Sequence, residues 1–195
     1  YLAGITTILG SAWPNNRTVN IVCHGHSVPA GYFDTPNVRT FDSYPHLLHA
    51  ALKERFSNAV INVIVTAIGG ENSAAGSARF ERDVLPHRPD LLTIDYALND
   101  RSIGLERATA AWSSMIEKAT GAGIKVILLT PTGDTRSDTL DAGDPLVQHA
   151  ELVCSLARRY HVGLADPFKV FQERIRSGTE LNSLMSHVNH PNRAG

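Results

Sequence analysis

The stretch from Val19 to Gly31 reads Val-Asn-Ile-Val-Cys-His-Gly-His-Ser-Val-Pro-Ala-Gly. Its first half is apolar and rich in β-branched residues, which is typical of a buried strand. Gly25 then begins a turn that presents Ser27 directly after that strand. Ligands of parallel α/β sheets bind beyond the carboxyl ends of the strands, so a serine here is placed to act as a nucleophile. The pattern alone decides little, because Gly-x-Ser is common.

The composition describes one globular domain without a charge bias. The chain has 195 residues, of which 43% are hydrophobic, and its formal net charge is −1. This length supports a single core, and the charge gives no reason to expect a nucleic-acid or membrane-surface partner. No apolar run approaches the roughly 20 residues that cross a bilayer. The two cysteines, Cys23 and Cys154, lie in apolar patterns and are expected to be buried free thiols.

We divide the chain into a lead-in segment, residues 1–17, and a single domain, residues 18–195. The start at Tyr1 rather than Met and the abrupt stop at Gly195 indicate a fragment of a longer protein, truncated at its C-terminus. No basic region typical of a signal peptide precedes the first apolar residues. We expect a soluble protein, secreted or periplasmic only if a leader once preceded Tyr1. The compartment and the oligomeric state stay open.

Strand and helix patterns alternate five times along the chain. Strands are predicted at residues 18–24, 59–66, 90–95, 124–130 and 162–165. The second of these, AVINVIVT, is a near-continuous β-branched run and predicts a strand buried on both faces. Helical spacing of apolar residues separates the strands. The alternation predicts a three-layer α/β/α sandwich with a parallel sheet of about five strands, similar to a flavodoxin-like arrangement.

Three turns follow predicted strands and therefore share one edge of the sheet. They carry Ser27, Gly70 and Asn99. Ester hydrolysis needs a nucleophile, a base and donors for the oxyanion of the tetrahedral intermediate. Ser27 is the candidate nucleophile, and its N–H, the N–H of Gly70 and the side-chain amide of Asn99 are candidate oxyanion donors. His190, near the end of the chain, is the candidate base and must fold back over the sheet edge to reach Ser27.

Four short motifs resemble conserved blocks of the SGNH (GDSL-type) hydrolase family, and the resemblance spans residues 19–195. The motifs are Gly25-His26-Ser27 with Ala30-Gly31-Tyr32, Ala67-Ile68-Gly69-Gly70-Glu71-Asn72, Leu98-Asn99-Asp100, and His190-Pro191-Asn192 with Gly195. The resemblance implies a carboxylic ester hydrolase in which Ser27 is the nucleophile, Gly70 and Asn99 bind the oxyanion, and His190 is the base. It implies no cofactor and no metal.

Three positions depart from the family's pattern. His26 stands where the first block usually has Asp, and Ala97 stands where the third block usually opens with Gly. The third departure has the largest chemical consequence, because His187 occupies the position three before His190 that usually holds Asp. That aspartate fixes the tautomer of the base and stabilises the imidazolium. The usual orienting carboxylate is therefore missing from this sequence.

Several groups could orient His190 in place of the missing aspartate. Tautomer control needs only some acceptor on the second ring nitrogen, so a backbone carbonyl is sufficient. His187 is a second possibility, and a carboxylate from elsewhere, Glu71 or Asp166 for instance, is a third. An impaired or inactive enzyme is the remaining alternative.

The loops expected to border the site are polar, which favours a hydrophilic substrate. Residues 28–40 and 131–143 contain several charged and hydroxyl side chains, and no long apolar flap is present. We therefore expect a small-molecule substrate that is a short-chain or O-acetyl ester of a carbohydrate. Two alternatives are a non-catalytic carbohydrate-binding or interaction protein on a degraded esterase scaffold and a metal-dependent hydrolase. The histidines that would serve the metal are His24, His26, His187 and His190.

Overall fold

The computed structural model describes residues 1–195 and has a parallel sheet at its centre. The strands are β1 (Thr18–Gly25), β2 (Val60–Val65), β3 (Leu91–Asp95), β4 (Lys125–Leu129) and β5 (Gly163–Ala165). Their order across the sheet is β2-β1-β3-β4-β5, and every neighbouring pair is parallel. This is the flavodoxin-like order, in which the chain changes direction between β1 and β3. The predicted α/β fold with about five parallel strands is confirmed.

Helices connect the strands and cover the sheet. They are α1 (Ala3–Leu9), α2 (Ser27–Ala30), α3 (Tyr44–Arg55), α4 (Ser73–Ala78), α5 (Phe80–Asp83), α6 (Ala97–Asp100), α7 (Gly104–Gly121), α8 (Pro145–Arg159) and α9 (Pro167–Arg176). Short 3₁₀ turns occur at Thr40–Asp42, Leu85–His87 and Leu181–Leu184. None of these helices combines the length and the apolar character that a bilayer crossing requires.

The two largest apolar clusters of the core lie on opposite faces of the sheet. Successive side chains of a strand point to opposite faces, so Val22 of β1 joins one cluster and Cys23 joins the other. The larger cluster includes the fully buried Trp112 of α7, and the second includes Ile5 of α1. Burying one large apolar side chain contributes about 1.5–3 kcal/mol. Packing on both faces therefore holds the sheet and fixes the edge from which the functional loops start.

The strand β2 lies at the edge of the sheet, so the expectation that residues 59–66 are buried on both faces is wrong. Val60 is 49% exposed, whereas Ile61 beside it is buried. β-branched composition reports a preference for extended backbone, but it does not report how many neighbours a strand has. β2 pairs only with β1, so one of its two hydrogen-bonding edges has no neighbouring strand, and Val60 and Asn62 are exposed.

Candidate active site

The turn between β1 and α2 carries Ser27 at the carboxyl edge of the sheet. Gly25 is needed there, because a Cβ at this position would lie 2.6 Å from the carbonyl oxygen of Asp95 and 2.8 Å from Pro29. The tight approach lets β1 end against β3 and lets α2 begin at Ser27. As the first residue of a helix, Ser27 keeps its N–H outside the helical hydrogen bonds. Its side chain is nearly buried, with the residue 7% exposed.

Ser27 and His190 meet although 163 residues separate them in the chain. His190 Nε2 lies 3.0 Å from Ser27 Oγ, and His190 Nδ1 lies 3.0 Å from the carbonyl oxygen of Phe33. A carbonyl oxygen can only accept, so the ring proton is on Nδ1 and the lone pair is on Nε2. The imidazole is therefore in the tautomer that can accept the serine proton.

The surroundings of His190 favour its neutral form. The residue is 6% exposed, and burial is the main cause that lowers its pKa below the ordinary histidine value. The Phe33 carbonyl opposes this shift, while His187 and His26 add to the lowering of the pKa. A base must be unprotonated to act, so a lowered pKa keeps His190 competent at neutral pH.

A short closed loop positions the Phe33 carbonyl against His190 Nδ1. Tyr32 and Val38 form an isolated antiparallel bridge, and the Phe33 N–H donates to the carbonyl of Asn37 at 2.9 Å. The Arg39 guanidinium lies 3.7 Å above the Phe33 ring. Sequence reasoning missed Phe33, and no side-chain signal could have found it, because every residue offers a backbone carbonyl.

Backbone hydrogen bonds hold the terminal loop that carries His190. Met185 and Pro191 form an antiparallel bridge, and the N–H of Asn192 donates to the carbonyl of Leu184 at 2.9 Å. The N–H of Thr135, in the loop after β4, donates to the carbonyl of Val188 at 2.8 Å. The loop after β4 therefore supports the approach of His190 to the sheet edge.

Gly70 presents a free backbone N–H in the loop after β2. Its φ is +80°, in the left-handed region that favours glycine. Its N–H donates no hydrogen bond within the protein, and a Cβ at this position would meet nothing within 4 Å. The N–H of Ile68 donates to the carbonyl of Gly25 at 3.0 Å, which ties this loop to the end of β1. Gly70 thus leaves room and a donor for a ligand oxygen.

Asn99, the third residue of α6, has one amide hydrogen engaged and one free. Its Nδ2 donates to the carbonyl of Glu71 at 2.8 Å. A side-chain amide carries two N–H bonds, so the second stays available for a ligand. The contact with Glu71 also connects the loop after β2 to the turn after β3. Ser27, Gly70 and Asn99 thus follow the three neighbouring strands β1, β2 and β3.

A buried polar cluster braces the loop of Gly70 from behind. Arg79, only 8% exposed, contacts a carboxylate oxygen of Glu71 at 2.7 Å and the Tyr96 hydroxyl at 3.1 Å. The Tyr96 hydroxyl lies 3.1 Å from His24 Nε2. Burial, followed by the nearby Arg79 charge, lowers the pKa of His24 to about 4. Sequence reasoning assigned no such role to Arg79 or Tyr96.

Asp100 holds the neighbouring turn through two buried donors. It accepts the backbone N–H of Ser73 at 2.7 Å and the indole N–H of Trp112 at 2.6 Å. The residue is fully buried, and burial raises the pKa of its carboxyl group. These contacts agree with the bracing role that its position next to Asn99 suggests. A carboxylate with two donors fixes the backbone on which Asn99 sits.

None of the side chains considered as orienters contacts His190 Nδ1. The His187 ring centroid lies 6.0 Å from that of His190, and its Nδ1 lies 3.7 Å from Asp34 Oδ1. Glu71 is paired with Arg79. Asp166 caps α9, since its Oδ1 accepts the N–H of Lys169 at 3.1 Å. The backbone carbonyl of Phe33 is therefore the group that contacts His190 Nδ1.

The four histidines considered for a metal do not form one ligand set, although His26 and His190 both lie near Ser27 Oγ. His24 belongs to the buried cluster behind the Gly70 loop, and the His187 side chain is 45% exposed. His26 Nδ1 accepts the N–H of Val28 at 3.3 Å and so caps α2. No group of three or more histidine, cysteine or acidic side chains is arranged to hold a metal ion.

A serine hydroxyl beside an oriented, neutral imidazole at the carboxyl edge of a parallel sheet is the arrangement of an α/β serine hydrolase. The model of the GDSL-like lipase/acylhydrolase family matches residues 23–195. The chain belongs to this family. The resemblance to SGNH hydrolases is thereby confirmed. None of the curated proteins matches the sequence.

Solved structures similar to this chain include esterases. One is a two-domain esterase (CEX) active on acetylated mannans, with a TM-score of 0.78 and 21% identity, covering 100% of this chain and 48% of that one. The chain thus spans about half the length of that protein. Axe2, an acetylxylan esterase from Geobacillus stearothermophilus, has a TM-score of 0.78 and 19% identity, and the match covers 90% of this chain and 88% of Axe2. The acetyl xylan esterase AlAXEase has a TM-score of 0.74 and 21% identity, and the match covers 90% of this chain and 92% of AlAXEase.

Proposed function

We propose that this chain hydrolyses short acyl esters, above all O-acetyl esters of carbohydrates, through a seryl-acyl intermediate. Ser27 is the nucleophile and His190 is the base. The observation that carries the proposal is the pair of 3.0 Å contacts that joins Ser27 Oγ to His190 Nε2 and His190 Nδ1 to the Phe33 carbonyl. These contacts supply both the proton acceptor and the tautomer that the chemistry needs.

In the acylation step, Ser27 Oγ attacks the acyl carbon while its proton passes to His190 Nε2. The imidazolium donates through Nδ1 to the Phe33 carbonyl, a dipole, because this chain has His187 and not the aspartate of the family's usual pattern. His190 then gives the proton to the leaving alcohol oxygen as the C–O bond breaks. In the deacylation step, the same histidine takes a proton from water, which attacks the acyl carbon and releases the acid.

The oxyanion of each tetrahedral intermediate is bound by three donors. They are the backbone N–H groups of Ser27 and Gly70 and the free amide hydrogen of Asn99. One donor of this kind typically stabilises the transition state by about 3 kcal/mol. The left-handed backbone of Gly70 and the engaged Nδ2 of Asn99 support the assignment, because both donors are fixed before substrate binds.

The substrate class rests on the polar loops around the site and on the related structures. CEX is active on acetylated mannans, and Axe2 is an acetylxylan esterase. Catalytic mutants of Axe2 replace a serine or a histidine by alanine, which supports a serine–histidine pair in this fold. Asp34 and Arg39 beside the Phe33 loop offer hydrogen bonds that suit a hydroxylated substrate better than a fatty chain.

Covalent labelling tests the nucleophile directly. We expect a fluorophosphonate probe to label the wild-type chain and to leave Ser27→Ala unlabelled. Turnover of p-nitrophenyl acetate should fall by at least about 10⁴-fold in Ser27→Ala, because the nucleophile is removed. Ser155→Ala, which removes an exposed hydroxyl of α8, is the matched control. A wild-type chain with neither labelling nor turnover would favour the non-catalytic binding protein.

A panel of esters tests the substrate class. Acetate release from acetylated xylo- and manno-oligosaccharides should proceed with a higher kcat/KM than release of butyrate or octanoate from p-nitrophenyl esters. A preference for the octanoyl ester would contradict the carbohydrate assignment while leaving the serine mechanism intact.

A further inference from the structure

A second imidazole lies within hydrogen-bond distance of the Ser27 hydroxyl. His26 Nδ1 is 3.3 Å from Ser27 Oγ, on the residue directly before the nucleophile, while His190 Nε2 is 3.0 Å away. The serine hydroxyl has one proton, so two imidazole nitrogens are available to accept it. His26 is 1% exposed, so bulk solvent does not reach its ring.

The tautomer of His26 follows from its neighbours. The backbone N–H of Val28 donates to His26 Nδ1 at 3.3 Å, so Nδ1 carries a lone pair. The ring proton is then on Nε2, which lies 3.2 Å from Asp95 Oδ1. The N–H is not aligned with that oxygen well enough for a hydrogen bond, but Asp95 Oδ1 is close enough to form an ion pair with the ring when the ring is protonated.

Asp95 ends β3 and is a buried carboxylate whose polar side-chain partner is His26. It is 4% exposed, and a buried carboxylate without a partner is unfavourable. Its negative charge beside Nε2 stabilises an imidazolium on His26, as a triad carboxylate does. Asp95 therefore offers His26 the neighbouring carboxylate that His190 lacks.

We infer that His26, backed by Asp95, is a second catalytic base for Ser27. The inference rests on the proposed function, since it requires Ser27 to be the nucleophile. In this step the Ser27 Oγ–H bond breaks, the proton moves to His26 Nδ1, and Oγ bonds to the acyl carbon. With p-nitrophenyl acetate the C–O bond to p-nitrophenolate breaks without protonation of the leaving group. The bond between Val28 N–H and Nδ1 is given up while the imidazolium exists.

The test compares two variants that both lack His190. His190→Ala should keep a residual turnover of p-nitrophenyl acetate that disappears in Ser27→Ala. Adding His26→Asn should lower that residual turnover at least tenfold, because asparagine caps α2 through its side-chain oxygen but accepts no proton. Adding Asp95→Asn instead should also lower it several-fold. His161→Asn, at an exposed turn with a φ of +53° that asparagine tolerates, is the matched control.

Fluorophosphonate labelling supplies a second measurement that involves acylation alone. The Oγ–P bond forms, fluoride leaves, and the proton goes to His26 Nδ1. The labelling rate of His190→Ala should therefore fall when His26→Asn is added, with an unchanged melting temperature. If His26→Asn does not fold, His26→Ser replaces it, because a serine hydroxyl also caps a helix and is not a base at neutral pH.

The outcomes separate the inference from the proposed function. Equal turnover and labelling in His190→Ala and its His26→Asn double variant would overturn the inference and leave the Ser27–His190 mechanism standing. A His190→Ala chain without any Ser27-dependent residual turnover would also overturn the inference and leave the Ser27–His190 mechanism standing. Wild-type turnover that does not depend on Ser27 would overturn both.

Discussion

Ser27 lies between two regions that are held in different ways. On one side, which we call the oxyanion side, buried side chains from several elements contact one another. On the other, which we call the base side, backbone contacts hold the terminal loop that carries His190. The oxyanion side contains the fully buried Asp100 and the nearly buried Arg79, each with several partners. The base side orients His190 with one carbonyl oxygen, that of Phe33. The difference teaches that side-chain identity matters greatly on the first side and much less on the second. A carbonyl contacts His190 Nδ1, and position 187, where the resemblance leads one to expect aspartate, holds histidine.

The largest effect is expected on the oxyanion side, from Asp100→Ala. The change leaves the Ser73 N–H and the Trp112 indole N–H buried without an acceptor, and each such group costs about 1–3 kcal/mol. We expect the free energy of unfolding to fall by about 3 kcal/mol or more, measured by urea denaturation. Asp34→Ala, which removes an exposed carboxylate on the base side, should change it by less than about 0.5 kcal/mol. Similar losses for both variants would contradict the comparison.

Lowering the pH should reduce the stability of the folded state through the protonation of His24, which lies on the oxyanion side. Because the folded state holds the pKa of His24 at about 4, unfolded chains bind more protons between that pH and the ordinary value of 6.5. Stability is therefore fully present above pH 6.5 and falls as the pH drops towards 4, by up to about 3 kcal/mol from this group.

His24→Gln, which does not titrate, should show a weaker loss of stability across the same interval. The difference between the two pH profiles isolates His24, because every other titrating group is present in both proteins. Asp100 is one of these groups, and its raised pKa changes stability in the opposite direction. Parallel profiles for the wild type and His24→Gln would show that another group controls this response.

Acid should affect the base side through activity. His190 must be unprotonated to accept the serine proton, and burial lowers its pKa. The value of kcat/KM should therefore rise with pH to a plateau, with its midpoint below 6.5, and stay constant through pH 7. The rate of p-nitrophenyl acetate hydrolysis from pH 4.5 to 8 measures this midpoint. A midpoint at or above pH 7 would be inconsistent with the buried, neutral base.

The smallest effect is expected for His187→Ala. Its imidazole is half exposed and lies 3.7 Å from the exposed Asp34, and it does not contact His190 Nδ1. Turnover should fall by less than about threefold, whereas His190→Ala should lose at least about 10³-fold. A loss in His187→Ala as large as that in His190→Ala would show that the carbonyl alone does not orient the base.

Much of the fold could be predicted from local patterns. Apolar periodicity and glycine turns are properties of neighbouring residues, so the five strands, their parallel arrangement and the α/β class followed from the sequence. Ser27, Gly70, Asn99 and His190 were candidates for the same reason, because each stands in a short motif. The structure brings Ser27 and His190 within 3.0 Å, and the catalytic roles of these residues stay proposals.

The sequence by itself determined the strand positions, the fold class and the order of the candidate motifs. Only the tertiary structure decided that β2 lies at the sheet edge, that the Phe33 carbonyl contacts His190 from 157 residues away, and that Asp95 faces His26. The reason is physical. Local patterns reflect the preferences of side chains for helix, strand or turn, whereas a carbonyl is common to all residues and gains a role only from what folds against it.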